Sequence, residues 1–125
     1  MPRVALLEAN RRNLELMTDA LEPAGFEVLG YPDADALLAS LENTVFDAAL
    51  LDAAGIGIEF GNACDGLRKR GVPFIVVVAP HGPIDGERAL QHGSTGILER
   101  PLTMRGLVNV LCNLSELSQT WRQSS

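Results

Sequence analysis

Phe46-Asp47-Ala48-Ala49-Leu50-Leu51-Asp52 is an apolar run that ends in a carboxylate and is followed by Ala53-Ala54-Gly55. Such a run predicts a buried parallel strand that delivers an acid to a loop. In open α/β sheets, ligands bind in the crevice beyond the carboxyl ends of the strands. Asp52 is therefore the first candidate functional residue, and the question passes to what stands at the ends of the other strands.

Upstream, Val4-Ala5-Leu6-Leu7 reads as a first strand, ending at Glu8-Ala9-Asn10. Asn10 suits a helix N-cap, and Leu14, Met17 and Leu21 recur at helical spacing. Pro23 and Gly25 stop that helix. Phe26 to Tyr31 reads as a strand, and Pro32-Asp33 opens a helix with Ala34, Leu37, Leu38 and Leu41 inward. Downstream of Asp52, Phe60, Cys64 and Leu67 mark a third helix that closes on Arg68-Lys69-Arg70 and Gly71. These bases complement the helix dipole, and the glycine suits the position after the cap. Pro73 to Val78 is a β-branched strand. A short helix follows from about Ile84 to His92, then a brief strand, Gly96-Ile97-Leu98. The last helix starts near Thr103, with Leu107, Val110, Leu111, Leu114, Leu117 and Trp121 along its stripe. Five strands alternating with five helices predict a parallel sheet covered on both faces. The chain reads as one domain over residues 1–122 with a short tail at 123–125.

A length of 125 residues suits one domain with a real core. The net charge of −6 argues against nucleic-acid binding, which needs a basic footprint. No apolar run is long enough to span a bilayer. Cys64 and Cys112 lack metal-ligand or CxxC spacing and read as small buried thiols in a reducing cytoplasm. No GxGxxG follows the first strand, which disfavours dinucleotide binding. With aromatics at 5%, few rings are available to flank a flavin.

Glu8 after the first strand, the Phe-Asp-x-x-Leu-Leu-Asp strand, the Gly71-Val72-Pro73-Phe74-Ile75 entry and Gly93-Ser94-Thr95-Gly96-Ile97-Leu98-Glu99-Arg100-Pro101 stand in register. On these marks the chain resembles response-regulator receiver domains, the phospho-acceptor modules of two-component signalling. The resemblance covers about residues 3 to 118. It implies a flavodoxin-like three-layer fold with a parallel sheet of order 2-1-3-4-5.

The resemblance also implies site roles. Asp52 takes the phospho-acceptor position. Glu8, Asp52 and the backbone carbonyl of Ala54 take the Mg²⁺ positions. Ala9 stands where a second acid is expected, Val78 where a Ser or Thr would bond the phosphoryl group, and Arg100 where a Lys would pair with it. Ile97 stands where a switching aromatic is common. Phosphoryl transfer needs cations and donors around a group of spread charge, so these departures imply Mg²⁺ binding that is weak or absent. They also favour a bidentate Arg100–Asp52 pair.

The resulting expectation is a stand-alone, atypical receiver that works mainly through protein–protein contacts. The alternative is a functional receiver in which Asp52 accepts phosphate with Mg²⁺. The implied partners are a histidine kinase or phosphotransfer protein, a downstream signalling protein, and a second copy in a homodimer; neither nucleic acid nor membrane is expected. Enzymatic activity beyond autocatalysed phosphotransfer to Asp52 is not expected. Met104, Val108 and Cys112 are expected to extend the apolar surface of the last helix as an interface.

Overall fold

In the computed structural model, which describes residues 1–54 and 56–124 apart from the side chains of 58, 115 and 117–124, the decisive stretch forms the central strand of a parallel sheet. The strands are β1 (Arg3–Leu7), β2 (Glu27–Tyr31), β3 (Ala48–Asp52), β4 (Phe74–Val78) and β5 (Gly96–Glu99). Their order is β2-β1-β3-β4-β5, and every neighbouring pair is parallel. The helices are α1 (Arg11–Leu21), α2 (Ala34–Ser40), α3 (Phe60–Lys69), α4 (Gly86–Gln91) and α5 (Met104–Ser124).

The alternation of side chains along a strand divides the core. Ala5, Leu7, Ala49, Leu51, Phe74, Val76 and Val78 face one way, in a cluster with Leu37, Phe60, Cys64, Leu67 and Ala89 of α2, α3 and α4. Val4, Leu6, Ala48, Leu50, Ile75 and Val77 face the other way, in a cluster with Met17 and Leu21 of α1 and Leu107, Leu111 and Leu114 of α5. Both faces are therefore dry, which is why the central strands read as continuous apolar runs.

The caps follow the sequence. Asn10 accepts a hydrogen bond from the Asn13 N–H at 3.0 Å, Asp33 from Ala36 at 2.8 Å, and Thr103 from Gly106 at 3.1 Å. Gly71 has a φ of 68°, the left-handed geometry expected after a helix end.

Several boundaries differ from the sequence reading. The central strand begins at Ala48 rather than Phe46. The Asp47 carboxylate accepts the Arg3 N–H at 2.7 Å, so a side chain takes a donor that a longer ladder would have used. α4 is shorter than Ile84–His92 because Asp85 caps it by accepting from the Arg88 N–H at 2.8 Å. α5 continues through residues read as a tail, as far as Ser124. Leu38 is only partly buried, packed towards Gly66, where a Cβ would fall 2.3 Å from a Leu38 methyl. Leu117 and Trp121 lie outside the described side chains.

Candidate functional site

Parallel pairing brings the strand ends level. Leu7 pairs with Leu51, so Glu8 follows β1 beside Asp52 at the end of β3. Val78 pairs with Glu99, and the Arg100 N–H donates to the Val78 carbonyl at 3.0 Å. Glu8, Asp52 and Arg100 thus meet at one edge. Together with Ala9, Asn10, Asn13 and Ala54 they line a cavity of about 520 Å³.

Both acids are buried, Glu8 at 3% and Asp52 at 2% exposure. Arg100 Nη2 donates to Asp52 Oδ2. The other oxygen, Oδ1, accepts the Ala54 N–H at 3.0 Å, in a local turn of the kind Asp favours. The ion pair is therefore present, but it is not the bidentate fork expected from the sequence, because the loop has taken one oxygen. Glu8 Oε1 accepts the Asn10 N–H at 3.0 Å, while Glu8 Oε2 is buried without a hydrogen-bond partner and lies 3.9 Å from Arg100 Nη2. Burial pushes the Glu8 carboxyl up to about 7. Asp52 beside it adds to the rise, against the pull of the Asn10 N–H and the Arg100 charge. One guanidinium serves two buried carboxylates.

The β4–β5 side of the same edge is apolar. Val78 is buried. Ile97 is partly buried against the α2–α4 side of the core and lies beneath Gly86 in the first turn of α4; a Cβ on Gly86 would fall 2.4 Å from the Ile97 Cδ1. Val78 also lines a separate cavity of about 190 Å³ with His81, Asp85 and Glu99.

Asn13 was missed in the sequence, and Asn10 was read only as a cap. Both line the main cavity. The signal was available, since two amides spaced by three on the first turn of α1 share the helix face next to Glu8. Of the three side chains expected at an interface, Met104 is exposed at 38%, whereas Val108 and Cys112 are partly buried against the α1–α5 side of the core. The apolar stripe of α5 is wider than its main ridge because the helix rests on the sheet and also meets α1. Cys64 is wholly buried, and burial pushes its thiol up to about 12, leaving it unreactive.

Mg²⁺ requires a near-octahedral set of hard oxygens. Both Asp52 oxygens and Glu8 Oε1 already accept hydrogen bonds. Ala9 brings no side-chain oxygen to the cavity. Glu8 Oε2 has no hydrogen-bond partner, and a positive group stands 3.9 Å away. Among the described residues, no group of three or more His, Cys, Asp or Glu could hold a metal ion.

No family model matches the chain. Over 124 residues it is 28% identical to the sensor histidine kinase GacS of Pseudomonas protegens; the match covers 94% of the chain but only 14% of GacS. Among solved structures it is similar to the receiver domain of a sensor histidine kinase from Pseudomonas aeruginosa PAO1. That match has 26% identity and a TM-score of 0.80, over 92% of this chain and 98% of that one. The Pseudomonas aeruginosa domain holds a magnesium ion in its active-site cleft. A CheY-like receiver from Methanospirillum hungatei JF-1 supports the fold, with a TM-score of 0.85 at 21% identity over 96% of this chain and 98% of that one. No helix among the described residues is long and apolar enough to cross a membrane. By fold and by sequence likeness, the chain is similar to the response-regulator receiver domains of two-component signalling.

Proposed function

We propose that this receiver acts mainly through protein–protein contacts, with weak or absent phosphorylation of Asp52. The observation that carries the reading is the Arg100 guanidinium bonded to Asp52 Oδ2. A carboxylate oxygen committed to a guanidinium is a poor nucleophile, and its lone pairs are not free to meet a phosphorus atom in line. Two further groups point the same way. Val78 offers no hydroxyl to a phosphoryl oxygen, a contact worth about 1.5–3 kcal/mol to a charged partner. Ala9 withholds the second acid that would help hold a metal.

A shape change needs a ligand that contacts two states differently. Here Arg100 already meets Asp52 before any phosphate arrives. Ile97 is packed under α4 and has no ring to swing. The resting form is thus the working form, presenting a fixed surface. The proposed contact face is α4–β5–α5, where Leu90 and Met104 are exposed. A histidine kinase, a phosphotransfer protein, a downstream signalling protein or a second copy would meet it there. Residues crosslinking to a partner, or within a dimer resolved by sedimentation, should fall on this face.

The deciding experiment is mass spectrometry after incubation with a small phosphodonor, with and without Mg²⁺. Little or no added phosphate in either arm is expected. Efficient Mg²⁺-dependent modification at Asp52 would favour the second reading, a working phospho-acceptor, for which the retained Asp52 beside a cation is the supporting observation.

A further inference from the structure

We infer that Arg100 is a built-in replacement for the divalent cation, and that this guanidinium, more than the lost acid at Ala9, sets which cations the site takes. The inference deepens the proposed function and rests on it only in taking Asp52 to be held by Arg100.

A divalent ion at this edge would have to lie against Glu8 and Asp52, the two buried acids of the cavity. Arg100 Nη2 already occupies that ground, bonded to Asp52 Oδ2 and 3.9 Å from Glu8 Oε2. A metal bridging the same two oxygens would sit within a few ångströms of a fixed positive charge in a poorly solvated place, where like charges repel strongly. The guanidinium hydrogen-bonds Asp52 alone, yet its charge stands 3.9 Å from Glu8 Oε2 and so faces both acids. A lysine ammonium is a point charge that would pair with one and leave the other open. The backbone fixes the point from which the Arg100 side chain reaches the acids. Its N–H is tied to the Val78 carbonyl at 3.0 Å, and Pro101 follows it. Restoring a carboxylate by Ala9→Asp therefore adds a third acid to a site whose cation is already in place. Replacing Arg100 by Lys is what opens the Glu8 side.

The test is a titration with Mn²⁺, which accepts the same oxygen ligands as Mg²⁺ and broadens nearby amide signals in NMR spectra. Four proteins are compared: wild type, Ala9→Asp, Arg100→Lys and the double variant. Thermal unfolding with and without Mn²⁺ serves as a second readout that needs no activity. Wild type and Ala9→Asp should show no saturable broadening at Glu8, Ala9, Asn10 and Ala53. The double variant should bind at least roughly tenfold more tightly than Ala9→Asp, and Arg100→Lys alone should already gain measurable binding. Adding Glu8→Gln to the double variant should abolish the gain.

Saturable wild-type binding as tight as the double variant's would overturn the inference. So would an Ala9→Asp protein that matches the double variant, or a double variant that stays silent. The proposed function fails separately. If wild type takes up phosphate without a divalent ion, that reading falls while the cation assignment stands. If wild type binds Mn²⁺ tightly yet stays unmodified, the reverse holds.

Discussion

The two halves of the sheet's carboxyl edge follow opposite designs. At the β1–β3 half, Glu8 and Asp52 are buried acids sharing one guanidinium around an open cavity. At the β4–β5 half, Val78 is buried among apolar groups and Ile97 fills the space under Gly86. The first half keeps the charges from which a phosphoryl site is made. The second is filled by apolar packing. The difference separates two requirements of a receiver, holding charge and transmitting its arrival. A site can lose the second while much of the first persists. Arg100 is the only one of these side chains that joins the halves, reaching from the end of β5 to Asp52.

The comparison breaks most severely at Arg100. Arg100→Ala leaves two buried carboxylates without a cation. It should lower stability by about 2–4 kcal/mol in a urea titration at neutral pH, because removing one partner of a buried pair strands the other. The loss should shrink at low pH, where Glu8 protonates. A loss within about 0.5 kcal/mol, the size of an ordinary surface substitution, would mean that the charged half is solvated rather than buried.

The next effect is a pH dependence from Glu8. Its carboxyl is raised from 4.5 to about 7 in the folded protein, so folding favours its protonated form. Between those values the folded chain holds a proton that the unfolded chain has released. Glu8 should thus subtract stability progressively as pH rises from 4.5 towards 7, with no further loss above that range. The total should be on the order of 3 kcal/mol. Glu8→Gln should remove this slope, and its stability relative to wild type should grow with pH across the window. Parallel pH profiles for the two proteins would show that Glu8 does not titrate there.

A smaller effect probes the apolar half. Val78→Thr places a hydroxyl in a dry position and should cost about 1–2 kcal/mol. Without a ring at Ile97 it should not create a phosphate-driven shift of α4. A beryllofluoride-treated Val78→Thr sample with large amide shifts across α4 and β5 would show that the hydroxyl alone restores transmission. The smallest effect concerns the surface. Met104→Ala should change stability by no more than about 0.5 kcal/mol, yet it should weaken any partner contact on the α4–β5–α5 face. Unchanged binding in a pull-down or sedimentation experiment would move the interface elsewhere.

The strands were legible because burial on both faces writes itself into the sequence as unbroken apolar runs. The register of Glu8, Asp52 and Arg100 followed from the parallel order. What the sequence could not convey was competition for individual oxygens. The claim of the Ala54 N–H on Asp52 Oδ1 depends on the path of a short loop, and with it the reduction of a fork to a single guanidinium contact. The orphaned Glu8 Oε2 is equally hidden, since it depends on where three separate chain segments bring their donors. Helical spacing located the main ridge of α5, but it could not show how far the sheet and α1 reach around the helix to half-cover Val108 and Cys112.

The division of the core by side-chain parity also governs how substitutions combine. Leu50 and Leu51 are covalent neighbours, yet Leu50 belongs with Leu107 and Leu111 while Leu51 belongs with Phe60 and Cys64. Sequence distance is therefore a poor guide to energetic interaction here. Trimming both leucines to smaller side chains should cost nearly the sum of the separate losses, because they share no packing cluster. Leu51 and Cys64, distant in the chain but lining one side of the sheet, should deviate from that sum as one cavity relaxes into the other. The molecule can thus accumulate changes on one side of the sheet with little consequence for the other, two partly independent ledgers of mutation carried by one set of strands.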